Sequence, residues 1–295
     1  MPRARPARDV ADAAVEPLLT AAAARLGPRA GDAATARLEA ELLLAHAWGC
    51  SRAALLGRDR VPPAVRARFD GLLGRRVDHA LPVAYLLGRR AFRDLDLDVD
   101  ARVLVPRPET ELLVDLFEEL QAGGRLPAGP VADVGTGSGN IALAVCARRP
   151  VLAVELSADA LEVARGNAAR HGSGRGLLLL RGDGLDAVAS GVLAAVLSNP
   201  PYVEPHELAG LPEDVARHEP RGALVPGVGS GAEHYARLRA QAARVLVPGG
   251  WWLTEVGCGQ AAARARELVA EGWGEVTRRP DLAGIERVVA ARRPD

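Results

Sequence analysis

Val131-Ala132-Asp133-Val134-Gly135-Thr136-Gly137-Ser138-Gly139 is the stretch from which the fold can be read. The run Val131–Val134 has the length and apolar character of a short buried strand. The glycines after it lead into the helical pattern Ile141–Arg149. Further along, Val151–Glu155, Leu177–Leu180 and Ala194–Ser198 repeat the strand signature, with a helix over Ala158–His171. Helix 231–246, strand 251–256, helix 260–271 and a last strand near Arg287–Ala291 follow. Strands alternating with helices predict an α/β fold: a mostly parallel sheet with helices on both faces.

Gly135, Gly137 and Gly139 let backbone approach a ligand closely, because no Cβ intervenes. The free amides at the next helix start add a positive end. The spacing is GxGxG, not the GxGxxG of a dinucleotide fingerprint. A Walker loop is excluded because the chain contains no lysine. An acid, Asp133, two residues ahead of GxGxG suits S-adenosylmethionine, a zwitterion with no pyrophosphate to satisfy. Asp133 is placed near the donor's ammonium group, with Gly135, Thr136, Gly137, Ser138 and Gly139 beside its ribose and methionine backbone. Glu155 lies 22 residues beyond Asp133 at the end of the second strand. A carboxylate there can accept both ribose hydroxyls. Asp183, with Gly184 after it, follows the third strand and can meet the adenine amine.

Ser198-Asn199-Pro200-Pro201-Tyr202 follows the fourth strand. Two prolines lock φ and remove two backbone donors, while their carbonyls stay free to accept. Asn199, one of only three asparagines, adds a side-chain carbonyl. The expected product is a rigid cup that accepts hydrogen bonds from an NH2 group, with Tyr202 beside it as a flat stacking surface. Methylation of a planar, conjugated nitrogen needs such a cup. Two acceptors can hold both hydrogens and let the delocalised lone pair point at a methyl group. Both motifs follow parallel strands, at the carboxyl edge where open α/β sheets bind ligands.

Upstream, Asp94–Asp100 alternates as a strand, Val103–Val105 reads as a second short strand, and residues 82–105 form a hairpin-like connector. Pro108 suits a first helical turn, with Glu109 and Glu111 at the positive end of the dipole. Leu112, Leu113, Leu116, Phe117 and Leu120 line that helix, and Gly123-Gly124 ends it. The first 80 residues read as all-helical: Ser51 caps a short helix stopping near Gly57, and a longer one begins at Pro62-Pro63. Residues 1–93 carry 16 arginines against nine acids, a surplus that can serve docking on an acidic or RNA-associated partner.

The whole chain has 295 residues and a formal net charge of +0, which argues against a dedicated nucleic-acid coater. Its three cysteines are too far apart for a metal clip or a disulfide scaffold, and no HExxH occurs among the six histidines, so no metal is expected. Neither a signal-peptide core nor a run of about 18 apolar residues appears, so the expectation is a cytoplasmic protein without membrane attachment.

On these residues the chain resembles the release-factor glutamine N5-methyltransferases, the HemK/PrmC family. The resemblance is carried by Val105-Pro106-Arg107-Pro108-Glu109-Thr110-Glu111, Asp133–Gly139 and Ser198–Tyr202. Tyr85-Leu86-Leu87-Gly88, His218-Glu219-Pro220 and Asp281-Leu282-Ala283-Gly284 with Arg287 add to it. The NPPY element alone also looks like adenine-N6 methyltransferases; the VPRPETE stretch is more particular to the glutamine enzymes. The resemblance implies a class I S-adenosylmethionine-dependent methyltransferase domain (residues 106–295), Rossmann-like with a mostly parallel seven-stranded sheet. A small all-α N-terminal docking domain (1–80) and a β-hairpin linker (81–105) would precede it.

It further implies a substrate, the glutamine of the Gly-Gly-Gln loop in class I peptide-chain release factors, and S-adenosyl-L-homocysteine as coproduct. Asn199, Pro200, Pro201 and Tyr202 would bind the glutamine, with Asn199 also touching the donor. Arg107 and Glu109 would shape the entrance. A monomer with no direct nucleic-acid substrate is expected. Another protein glutamine, such as one in a ribosomal protein, and an adenine N6 are the alternative acceptors. Two departures stand out. Gly184 occupies a place where the family often has Trp, so a flat wall against adenine is lost there. Glu155 replaces the commoner Asp, one methylene longer in the same role.

Overall fold

Leu87 and Gly88 mark the division between two units in the computed structural model, which describes residues 13–172, 176–227 and 230–294. The N-terminal unit is built from β1 (Ala13–Ala14), α1 (Val15–Ala30), α2 (Ala33–Trp48), a 3-10 turn (Ala53–Gly57), β2 (Arg60–Val61), α3 (Pro63–His79) and α4 (Val83–Leu87). Asp32 caps α2, its Oδ1 accepting from the amides of Ala34 and Thr35 at 2.8 and 2.9 Å. Pro63 opens α3, whose Val65, Phe69 and Leu73 join Leu18, Leu43 and Leu44 in one buried cluster. The expected all-helical region also holds a two-residue antiparallel pair, β1 with β2. Two residues per strand are too few for any alternation to show in the sequence.

The second unit opens with a hairpin, β3 (Arg89–Phe92) antiparallel to β4 (Leu95–Asp98). This corrects the expected pairing of Asp94–Asp100 with Val103–Val105, which form no strand with each other. Phe92 and Leu97 are the apolar residues this hairpin buries, and Arg93, at φ +52°, makes its turn. The alternation in the sequence marked β4 and missed its arginine-bearing partner. A 3-10 turn (Pro108–Thr110) then leads into α5 (Glu111–Ala122), with Leu113, Leu116, Phe117 and Leu120 buried.

The rest runs β5 (Val131–Val134), α6 (Asn140–Val145), β6 (Val151–Glu155), α7 (Ala158–Arg170), β7 (Leu177–Arg181) and β8 (Leu193–Ser198). After it come α8 (Glu213–His218), α9 (Arg221–Leu224), α10 (Gly231–Val245), β9 (Leu246–Glu255), α11 (Ala261–Ala270), β10 (Gly274–Pro280) and β11 (Glu286–Arg292). The seven strands line up as β10-β11-β9-β8-β5-β6-β7. The five from β9 to β7 run parallel, and β11 is antiparallel to both β9 and β10.

Ala132, Val134, Val154, Val196 and Trp252 are buried with Leu238 and Ala242 of α10 and Leu268 of α11. Residues of opposite parity, such as Val131, Ala153, Leu197 and Leu253, are equally buried, so both faces of the sheet are covered. Strand β10 was not legible beforehand because it is a largely exposed edge carrying Arg278 and Arg279. No described helix is long and apolar enough to cross a membrane.

Asn167 of α7 ties the hairpin to the sheet. Its Oδ1 accepts from the Asp98 amide at 2.7 Å, and its Nδ2 donates to the carbonyls of Asp98 at 3.0 Å and Ser138 at 2.9 Å. The side chain is fully buried, so its removal strands three backbone groups at once. Asn167→Ala should therefore lower unfolding stability by about 2–3 kcal/mol. Urea denaturation of parent and variant checks this; a difference below about 0.5 kcal/mol would mean water replaces the amide at no cost.

Candidate active site

Strands β5 and β8 are neighbours in the sheet, with Val134 opposite Ser198. The Ser198 hydroxyl donates to the Val134 carbonyl at 2.8 Å. The glycine loop and the NPPY element therefore leave the sheet side by side, from its carboxyl edge. Between them lies a cavity of about 360 Å³, walled by Gly135–Ser138, Glu155, Asp183, Gly184 and Asn199–Pro201, with Pro106, Arg107 and Thr110 at another side.

Gly135, Gly137 and Gly139 all adopt positive φ, at +74°, +54° and +86°. That conformation is why glycine is required through this turn. Asp133 lies beneath the loop and is not part of the cavity wall. Its Oδ2 accepts from the Thr136 hydroxyl at 2.6 Å and the Ala142 amide at 3.1 Å, and its Oδ1 is buried without a partner. Burial pushes its pKa up to about 7, against the pull of those two hydrogen bonds, with the nearby Glu155 charge adding to the rise. Asp133 thus braces the loop where the sequence reading had it at the ligand. Gly139 likewise starts α6 behind the wall. Glu155 is in the wall, its Oε2 accepting from the Gly137 amide and its Oε1 from the Ser157 amide, both at 2.9 Å. Each oxygen keeps a further lone pair for a ligand hydroxyl.

Asp183 lines the cavity but is already paired, accepting from Arg237 Nη1 at 2.9 Å. That pairing holds its carboxyl below the usual range. Gly184 is at φ +62°, and a Cβ there would lie 2.2 Å from Gln241 Oε1. Gln241 fills that place, accepting from the Leu185 amide at 3.0 Å and donating to Asp186 at 2.6 Å. The space in which a bulky side chain could stand at position 184 is thus taken by the amide of α10.

At the NPPY element, Asn199 Nδ2 donates to Thr110 Oγ1 at 3.1 Å. Thr110 in turn donates to Glu255 Oε2 at 2.6 Å. Tyr202 reaches the same carboxylate, its hydroxyl donating to Oε1 at 3.3 Å. Tyr202 is partly buried, packed against Val203, Leu224 and Val225, and is not among the residues that wall the cavity. Burial and the Glu255 charge push its phenol well up. Glu255 is 2% exposed, and burial pushes its pKa up to about 7 against the two hydroxyl hydrogen bonds.

Thr110 and Glu255 were missed by reading the sequence for function. The available signal was that Glu255 ends a strand of this sheet, as Glu155 does. Arg107 and Glu219 form an ion pair at 2.6 Å, and Glu219 Oε2 also accepts from the Val105 amide at 3.3 Å. Two stretches singled out separately in the sequence are therefore one structural unit.

The fold and this double-loop site define a class I methyltransferase. Two family models match: the PrmC N-terminal domain over residues 18–88 and the methyltransferase small domain over residues 108–214. The chain is 43% identical over 266 residues to the release factor glutamine methyltransferase of Nitratidesulfovibrio vulgaris, covering 87% of this chain and 88% of that one. To the enzyme of the same name in Xylella fastidiosa it is 39% identical over 285 residues, covering 94% and 97%. Among solved structures, the hMettl16 catalytic domain in complex with a 3'UTR hairpin superposes with a TM-score of 0.55 at 16% identity, over 78% of this chain and 82% of that one, which shows the shared fold.

The chain belongs to the release factor glutamine methyltransferase family. It is an S-adenosylmethionine-dependent glutamine methyltransferase. The residues present fit that donor: a Cβ-free loop over the cavity, and a carboxylate, Glu155, with lone pairs to spare.

Asp133 also makes a testable signature. Its folded pKa is raised above the unfolded value, so the folded state binds the extra proton between pH of about 4 and 7. The stability it contributes is present at low pH and lost as pH rises through that window. Asp133→Asn, whose side chain does not titrate, should therefore gain stability relative to the parent from pH 4 towards pH 7. Urea midpoints across that range measure the difference, and a constant gap would show that Asp133 titrates normally.

Proposed function

We propose that this chain methylates the side-chain N5 of the glutamine in the Gly-Gly-Gln motif of class I peptide-chain release factors. The observation that carries this reading is the orientation of Asn199. Its NH2 is engaged by Thr110, and no hydrogen bond among the described residues takes its Oδ1. The end left for the cavity is an acceptor, and we take the carbonyl of Pro200, which also walls the cavity, as a second. A glutamine amide brings two N–H donors to that pair.

An amide nitrogen is a poor nucleophile because its lone pair is delocalised. Asn199 Oδ1 and Pro200 O, holding one hydrogen each, favour a more tetrahedral nitrogen with the lone pair directed across the cavity. S-adenosylmethionine supplies the electrophilic methyl group when bound. Alignment at about 3–3.5 Å and acceptors matched to the developing positive charge lower the barrier. The nitrogen becomes acidic only as the new bond forms, so no strong base is needed at the start.

The release factor is supported as partner by the named relatives, which the chain matches nearly end to end, PrmC N-terminal domain included. Mass spectrometry on unmethylated release factor incubated with enzyme and S-adenosylmethionine tests the proposal. One added methyl on the Gly-Gly-Gln glutamine is expected. No gain from a donor-binding protein would overturn the substrate and direct the search to other protein glutamines, then to adenines. Asn199→Ala should lower turnover far more than donor affinity, because the residue places the acceptor amide. Glu155→Ala should weaken donor binding by about 1.5–3 kcal/mol, the scale of hydrogen bonds to a charged group. Calorimetry checks the second, and an unchanged dissociation constant would remove the ribose assignment.

A further inference from the structure

Asn199 has an amide whose two ends are nearly the same shape and opposite in chemistry. Turned one way it offers the cavity an acceptor; turned the other way it offers a donor, which would repel an incoming NH2. Something must hold the right end outward. The groups behind it form a directed chain. Ionised, as it is above its pKa of about 7, Glu255 has only acceptors to offer. The Thr110 hydroxyl must therefore point its hydrogen at Glu255 Oε2, at 2.6 Å. Its lone pairs are then left for the Asn199 NH2, at 3.1 Å. The Tyr202 hydroxyl occupies the other carboxylate oxygen, at 3.3 Å, so the second end of Glu255 is fixed too. Thr110 is 1% exposed and Glu255 2% exposed, so no bulk water competes for these bonds.

We propose that Thr110 and Glu255 are positioning residues that set which end of the Asn199 amide faces the acceptor substrate. The inference rests on the reading of Asn199 as the glutamine-binding acceptor. Neither residue touches the reacting atoms; each acts through Asn199.

The polarity of the chain separates this role from simple packing. Thr110→Val keeps the shape and removes the hydroxyl, so the Asn199 amide loses its guide. Thr110→Ser restores it. Glu255→Gln keeps size but brings an NH2, which lets Thr110 turn round and donate to Asn199 Oδ1. Because both residues work through one link, their effects do not multiply.

The experiment compares parent, Thr110→Val, Thr110→Ser, Glu255→Gln and the Val/Gln double variant. Turnover is followed on a class I release factor, and S-adenosylhomocysteine affinity by calorimetry. Thr110→Val is expected to lower kcat by about tenfold or more while the dissociation constant stays within about twofold. Thr110→Ser recovers most of the loss. Glu255→Gln falls at least as far as Thr110→Val, and the double variant is no slower than the slower single. The proposal is overturned by Thr110→Val turning over within about twofold of the parent, or by multiplicative losses in the double variant. Should Glu255→Gln fail to fold, the Thr110 pair decides alone. A parent that methylates no glutamine would sink the functional reading itself, whereas an active parent insensitive to Thr110→Val sinks only this inference.

Discussion

The parallel pairing of β5 with β8 is the constraint on which the site depends. Val134 and Ser198 sit opposite one another, and a side-chain bond from Ser198 to the Val134 carbonyl closes the last rung. Adjacent strands are about 4.8 Å apart. The two loops that leave them have no choice but to share one cavity. A glycine loop and an NPPY element on distant strands would each be a local curiosity. On neighbouring strands ending at the same level, they wall one cavity. Strand order cannot be read from spacing along the chain, because β6 and β7 intervene in sequence and lie on the far side of β5.

Carboxylates at or next to strand ends hold those loops in place. Asp133 at β5 takes Thr136 and the Ala142 amide. Glu155 at β6 takes the Gly137 and Ser157 amides. Glu255 at β9 takes the hydroxyls of Thr110 and Tyr202. Two of the three are buried deeply enough that desolvation drives their pKa values up to about 7. Neutral or weakly positive donors cannot fully offset the cost of drying a carboxylate. Tolerating that cost is reasonable where the return is a fixed loop. Glu155 is the one of the three that faces the cavity.

The architecture was legible because strand and helix periods differ and glycine and proline punctuate them. The runs Val131–Val134 and Val151–Glu155 needed no adjustment, and helix 231–246 ended within a residue of the observed boundary. What failed to show had physical reasons. The β3 strand carries Arg89 and Arg90 on a short hairpin, and β10 is an exposed edge, so neither has the apolar alternation that betrays a strand. At the site, residue types pointed to the loops that wall the cavity but not to depth. Asp133 and Tyr202 look like ligand contacts in sequence. The fold leaves both out of the cavity wall, with Asp133 fully buried beneath the loop. The pairing of Thr110 with Glu255 did not show for the converse reason: they are 145 residues apart and meet across the fold.

The stretch Val105–Glu111 shows how much can lie beneath an ordinary pattern. Read locally, it is a proline-opened helix start with acids at the favourable end. In the fold five of the seven, Val105, Pro106, Arg107, Thr110 and Glu111, bond to residues elsewhere. The Pro106 carbonyl accepts from Arg90 of the hairpin at 3.2 Å. Arg107 pairs with Glu219, Thr110 with Glu255, and Glu111 accepts from the Arg93 amide at 3.0 Å. Five residues of this stretch thus fasten the hairpin, the Glu219 segment and the end of β9 to one side of the cavity. A helix start needs none of these side chains in particular, since Pro and an acid would suffice. The tertiary partners, not the local helix start, account for the side chains this stretch carries.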